Sequence, residues 1–272
     1  MSKHPPAVAP ASAAFPDPGT TLYLRRGRGR LGGSTDGDRT IQRARYQGRR
    51  VKPLDGDLRS RTLSNLYPAF DADGAPILNG ATSPASEEMS VVKKWLGFEF
   101  DQMVEQQRSA VLDLGGGDRV LQEYGRDLAI GEFCRDYNVG LTAAFYLGPD
   151  IEDFYHVRQI LKSGDLKDAR TLLVLNEGVI RQGQTTEGAF DPIVSHPDFH
   201  AMLKDGARVV MMPRLTCLDQ LRARGLGFYD VAEGRPDKDG KRISPTLQHM
   251  TKKWLEVIER LNGEAGTLGW QP

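Results

Sequence analysis

Cysteine is nearly absent: Cys134 and Cys217 are the only two in 272 residues, and they lie far apart without metal-ligand spacing. That excludes a disulfide scaffold and a Cys-rich zinc site, and predicts two buried free thiols. Long apolar runs are missing as well. None approaches the roughly 20 residues needed to span a bilayer. The opening stretch MSKHPPAVAPASAAFPDPGTT is rich in Pro and Ala but has no continuous apolar core. The sequence therefore predicts no secretory signal, a disordered tail over residues 1–19 and a cytoplasmic chain. Net charge is absent too, with 36 basic residues against 36 acidic ones.

The balance is uneven along the chain. From Arg25 to Arg61 there are twelve Arg or Lys and four Asp, a local excess of +8, so the remainder carries −8. Such asymmetry points to a face that meets something anionic, or else to a surface paired with acidic neighbours. The arginines at 43, 45, 49, 50, 59 and 61 suit DNA phosphates. No helix-turn-helix pattern or aromatic interleaving accompanies them, so backbone contacts are the most they predict.

The length and apolar content fit one α/β domain over 20–272. Apolar runs at 21–24, 109–118, 140–150, 169–178 and 207–215 read as strands, the second running into a glycine turn, with a weaker one at 49–55. Helical patterns cover 86–107, 151–163, 216–224 and Ser244 to Gly263. Residues 68–85 and 230–244 read as polar loops. TLLVLNEG is continuous enough for a parallel strand covered on both faces. Alternation of strand and helix implies a mostly parallel sheet with helices on both faces, whose ligands bind beyond the carboxyl ends of the strands. Those ends carry the glycine loop at 27–35, Asp55-Gly56-Asp57, Asp113 before Gly115-Gly116-Gly117-Asp118, Gly148-Pro149-Asp150, Asn176-Glu177 and Pro213-Arg214. Asp55 and Asp113 are carboxylates placed where a metal could sit.

The loop GRGRLGGST admits two phosphate-binding readings. Gly27-Arg28-Gly29-Arg30-Leu31-Gly32 is G-x-G-x-x-G after a strand, with Asp55 downstream where an acid would meet a ribose hydroxyl. That predicts a Rossmann-type dinucleotide protein. Alternatively, RGRLGGST is a P-loop, in which backbone N–H groups and a helix N-terminus cradle phosphate and a Ser/Thr holds Mg²⁺. Gly33 then stands where the lysine should be.

Read in order, RGRLGGST, DGD at 55–57, SAVLDLGGGD, TLLVLNEG and VVMMPRL resemble the ParA/MinD group of deviant-Walker P-loop ATPases over roughly residues 20–230. The resemblance implies P-loop NTPase architecture and binding of ATP with Mg²⁺. It assigns phosphate contacts to Gly29, Gly32, Gly33, Ser34 and Thr35, and places Asn176 and Pro213 beside the base. It puts Mg²⁺ on Ser34, with Asp113 reaching it through water, and gives Asp57 the attacking water. Arg28 takes the position of the signature lysine. It further implies ATP-driven dimerisation, a partner protein or non-specific DNA, and a role in plasmid partitioning, conjugation or other mobile-element transfer. Because Arg28, Arg30 and Gly33 depart from the family loop, hydrolysis is expected to be weak or lost. An adaptor that binds DNA or protein through its basic face is the non-enzymatic alternative. Asp36-Gly37-Asp38 predicts a poor first helical turn, with acids that would repel phosphate. His196 and His200, at i, i+4 spacing without a third ligand, read as a surface pair.

Overall fold

The computed structural model describes residues 19–115, 118–237 and 239–272. Residues 1–18 of the expected tail, and Gly116 and Gly117 of the glycine turn, lie outside them.

Six strands are present among the described residues: β1 (Thr21–Arg26), β2 (Val51–Asp55), β3 (Ser109–Asp113), β4 (Gly140–Leu147), β5 (Arg170–Asn176) and β6 (Arg208–Met212). They form one sheet in the order β2-β3-β1-β4-β5-β6, and every pairing is parallel. All six carboxyl ends therefore share one edge of the molecule. β2 contains Pro53, which cannot donate to a ladder, and β2 is accordingly an edge strand.

Successive strand residues face opposite sides, and each side carries its own core. Leu22, Leu24, Leu112, Phe145 and Leu173 pack against α3 (Met89–Glu105), α4 (Asp118–Asp127), α5 (Ile130–Asp136), α6 (Ile151–Lys162), α7 (Thr186–Val194) and α8 (Pro197–Lys204). The intervening Tyr23, Val111, Ala144, Tyr146 and Val174 face α1 (Gly33–Tyr46), α2 (Thr62–Leu66), α9 (Leu218–Ala223), α10 (Phe228–Ala232) and α11 (Pro245–Glu264). Helices thus cover both faces, as the strand–helix alternation implies. α10 enters the stretch read as loop from residue 230, and β6 stops at Met212 rather than Leu215.

α1 corrects the expectation of a weak, repulsive first turn. Its two acids are buried and neutralised, not aimed at the loop. Asp36 accepts from Tyr146 Oη at 2.7 Å and from Arg39 Nε at 2.7 Å. Asp38 accepts from Tyr67 Oη, from Gln42 at 2.8 Å and from Arg222 at 2.5 Å. These partners hold the helix where propensity alone would not.

Both cysteines are free and buried. His196 caps α8, its Nδ1 accepting from Asp198 N at 3.1 Å, and no group of three or more His, Cys, Asp or Glu side chains that could hold a metal ion occurs among the described residues. No described helix is long and apolar enough to cross a membrane.

Candidate functional site at the carboxyl edge of the sheet

β1 delivers the glycine loop onto the N-terminus of α1, and the loop turns through left-handed residues. Arg30 has φ 66° and Gly32, the residue before the helix, has φ 83°. The amides of Thr35 and Asp36 bond back to Gly32 O at 3.1 Å each. The amides of Gly33 and Ser34 begin the helix, so no earlier helical carbonyl is available to them.

Ser34 and Asp113, far apart in sequence, meet here. Ser34 Oγ donates to Asp113 Oδ2 at 3.1 Å. The other carboxylate oxygen, Oδ1, accepts from Gly115 N at 2.9 Å and is ion-paired with Arg25. Arg25 and Asp113 are register partners on adjacent strands, which fixes this pairing through the backbone.

Asp55 ends β2 opposite Asp113. It is buried, and its oxygens accept from Ser64 N at 2.7 Å and Asp57 N at 3.3 Å. Burial pushes its carboxyl above the ordinary range, with the Asp113 charge adding to the effect and the Ser64 bond opposing it. Asp57 is half-buried. Its Oδ1 caps the following turn at Arg59 N and Ser60 N, and its Oδ2 lies against Gly115. The two carboxylates Asp55 and Asp57 therefore flank Asp113 on the same edge.

Asn176 closes the loop from the far side. Its Nδ2 donates to Leu31 O at 2.8 Å, and its Oδ1 accepts from Gly178 N at 2.8 Å. The side chain predicted to read a base is thus buried and engaged with backbone on both ends. Beside it lies a cleft of about 470 Å³ whose lining includes Arg30, Gly32, Thr35, Asn176, Pro213 and Trp254. That volume falls in the range of small-molecule sites. Four of the predicted nucleotide residues share this cleft.

Arg28 leans away from the loop's centre and pairs with Asp153 at 3.2 Å. Asp153 also accepts from Gly148 N at 3.2 Å, and burial raises its carboxyl. Gly29 is exposed, with open space around its Cα. Part of the basic stretch is neutralised inside the molecule, where Arg39 pairs with Asp36 and Arg43 with Glu259, whereas Arg59 pairs with Glu87 on the surface. Arg45 lies over the Tyr67 ring, 4.5 Å from its centroid.

Sequence reasoning missed Arg25 and Asp153. Arg25 stands one residue before the end of the glycine-loop strand, but its pairing with Asp113 depends on strand register, which the sequence does not state. Asp153 reads as an ordinary helix-start acid, and only the fold reveals its bond to Arg28.

No protein-family model and no curated protein matches the chain. Among solved structures, the MinC:MinD cell division protein complex of Aquifex aeolicus is similar, at 12% sequence identity and a TM-score of 0.48, covering 87% of this chain and 96% of that one.

Proposed function

We propose that residues 20–272 form a nucleotide-binding unit of the P-loop type, resembling the ParA/MinD ATPases, that takes up ATP with Mg²⁺ and turns it over slowly or not at all. The observation that carries this reading is the 3.1 Å bond from Ser34 Oγ to Asp113 Oδ2 across the glycine loop. It joins the hydroxyl that opens a helix to the carboxylate that ends a neighbouring strand. The dinucleotide reading lacks such support. In that fold the strand bearing the ribose acid adjoins the glycine-loop strand. Here β3 lies between β1 and β2, and Asp55 is buried against backbone amides.

The donors fit a hard divalent cation, being oxygen only: the Ser34 hydroxyl and the Asp113 Oδ2 beside it, with Asp55 behind. Magnesium, when bound, supplies positive charge at the outer phosphate oxygens. The chain's own residues do the rest. The amides of Gly33 and Ser34 bind phosphate through the helix N-terminus. Gly29 and Gly32 let the backbone approach it, and Thr35 and Pro213 wall the cleft. Asp57 orients the attacking water once it leaves its capping bonds. Asn176 holds the loop shut and offers the base an edge only when it releases Leu31 O. A site so engaged with itself suits binding more than turnover. For that reason the adaptor reading, in which nucleotide controls a partner protein, DNA contact or a homodimer in plasmid partitioning or transfer, stands beside the enzymatic one.

The test is calorimetric titration of the chain with a slowly hydrolysed ATP analogue, with and without Mg²⁺, and in parallel with NAD. Micromolar, Mg²⁺-dependent binding of the analogue, about 8 kcal/mol of affinity, is expected. Preference for NAD, or no binding of either, would overturn the proposal.

A further inference from the structure

Gly33 opens α1 where a P-loop carries its lysine. Its backbone is helical, so no positive φ requires glycine there, and glycine is a poor helix former. The reason for it is spatial. A Cβ added at position 33 would overlap Arg25 Nε and lie 2.9 Å from both Cδ and Cζ of that side chain. With Arg25 in this place, position 33 cannot hold a lysine or any other side chain.

Arg25 rises from β1 opposite Asp113, and its side chain is only 10% exposed. Nη1 is paired with Asp113, whereas Nε is buried without a hydrogen-bond partner among the described residues. A guanidinium has five donors, and a buried donor left unpaired is costly. The unmet donor lies against the first residue of the helix whose opening amides face the loop. Charge and donor capacity therefore converge at one point, supplied by two different elements.

Resting on the nucleotide reading above, we propose that Arg25 is the phosphate cation of this site, brought in from the strand instead of the helix, and that position 33 is glycine to admit it. Asp113 holds the guanidinium in place before any ligand arrives. The planar fork then meets the outer phosphates of a nucleoside di- or triphosphate as a directional donor, where a lysine would act as a point charge.

Relocating the charge tests this. The slowly hydrolysed ATP analogue is titrated into the unchanged chain and into Arg25→Met, Gly33→Ala, Gly33→Lys and the double variant Arg25→Met/Gly33→Lys, with thermal melts to confirm folding. Arg25→Met is expected to weaken binding by about thirtyfold or more, and Gly33→Ala, which only displaces the guanidinium, by about tenfold. Gly33→Lys alone should also bind weakly, because two side chains contend for one volume. The double variant should recover to within about threefold of the unchanged chain, a coupling expected of residues sharing one space. If Arg25→Met binds as tightly as the unchanged chain, or the double variant binds no better than Arg25→Met, the assignment is overturned while the nucleotide reading stands. If Arg25→Met does not fold, Gly33→Ala decides: unchanged affinity overturns the assignment and tenfold loss supports it. If the unchanged chain binds no analogue, the nucleotide reading falls and the assignment with it.

Discussion

The Asn176 carboxamide lies directly against the α-carbon of Gly32. A Cβ there would overlap Nδ2 and come within 3.0 Å of Met212 Cε, on a backbone already at φ 83°. Gly32→Ala is therefore expected to cost about 2–4 kcal/mol, from left-handed strain together with overpacking. Urea denaturation reads this directly, and a loss under about 1 kcal/mol would show that the contact relaxes freely.

The Ser34–Asp113 bond makes a separable prediction about the metal. Ser34→Ala should lower affinity for the ATP analogue at least about tenfold with Mg²⁺, some 1.4 kcal/mol, and change it little with EDTA present. Equal losses in both conditions would assign the hydroxyl to the loop's shape instead of to the cation.

Asp36 is buried among Tyr23, Tyr146 and Arg39. Burial works hardest against the Arg39 charge, yet the Asp36 charge and hydrogen bond, with Tyr229 and Tyr23, together outweigh it and hold the guanidinium protonated. Asp36→Ala strands that guanidinium in the core, and a destabilisation of about 3–5 kcal/mol is expected by equilibrium unfolding. Asp36→Asn keeps the shape and the hydroxyl bonds but not the charge, and should be milder.

Burial pushes the Cys134 thiol up to about 12 from an ordinary value of 9.0. An acid whose folded value is raised stabilises the fold while protonated. That contribution is whole below pH 9.0 and is lost as pH climbs toward 12. At pH 8 the folded chain should accordingly show no rapid reaction of Cys134 with a disulfide reagent, the thiolate being the nucleophile. Peptide mapping of labelled protein checks this, and fast labelling at Cys134 without unfolding would refute it.

Much of this architecture could be read from residue order. TLLVLN, SAVLD and the run from Gly140 are strands because their apolar residues are continuous. Ser244-Pro245 starts α11, and Gly164, at φ 77°, follows the end of α6. Other elements are muted. α4 carries Gly125 inside it and meets α5 at a left-handed Ala129, and α7 contains Pro192, so local propensity argues against a helix in each. In the site, the loop and the strand-end acids were legible because position along the chain indicates them. Arg25 was not, since its role depends on strand register and on the empty face of a glycine. Asp36 and Asp38 misled for a related reason: charge in a sequence says nothing of the buried partner that cancels it.

Arg39, nearly two turns into the helix that the glycine loop feeds, donates to Gln271 Oε1 at 3.0 Å across 232 positions of chain. During synthesis the ribosome delivers that acceptor long after the loop and the first strands have emerged. Until then the guanidinium has no such partner, and α1 lacks one of the ties that hold it to the C-terminal segment. A nascent chain would thus carry a loosely set glycine loop, whose final setting would arrive late, coupled to docking of the segment after the last helix and not to formation of the loop itself.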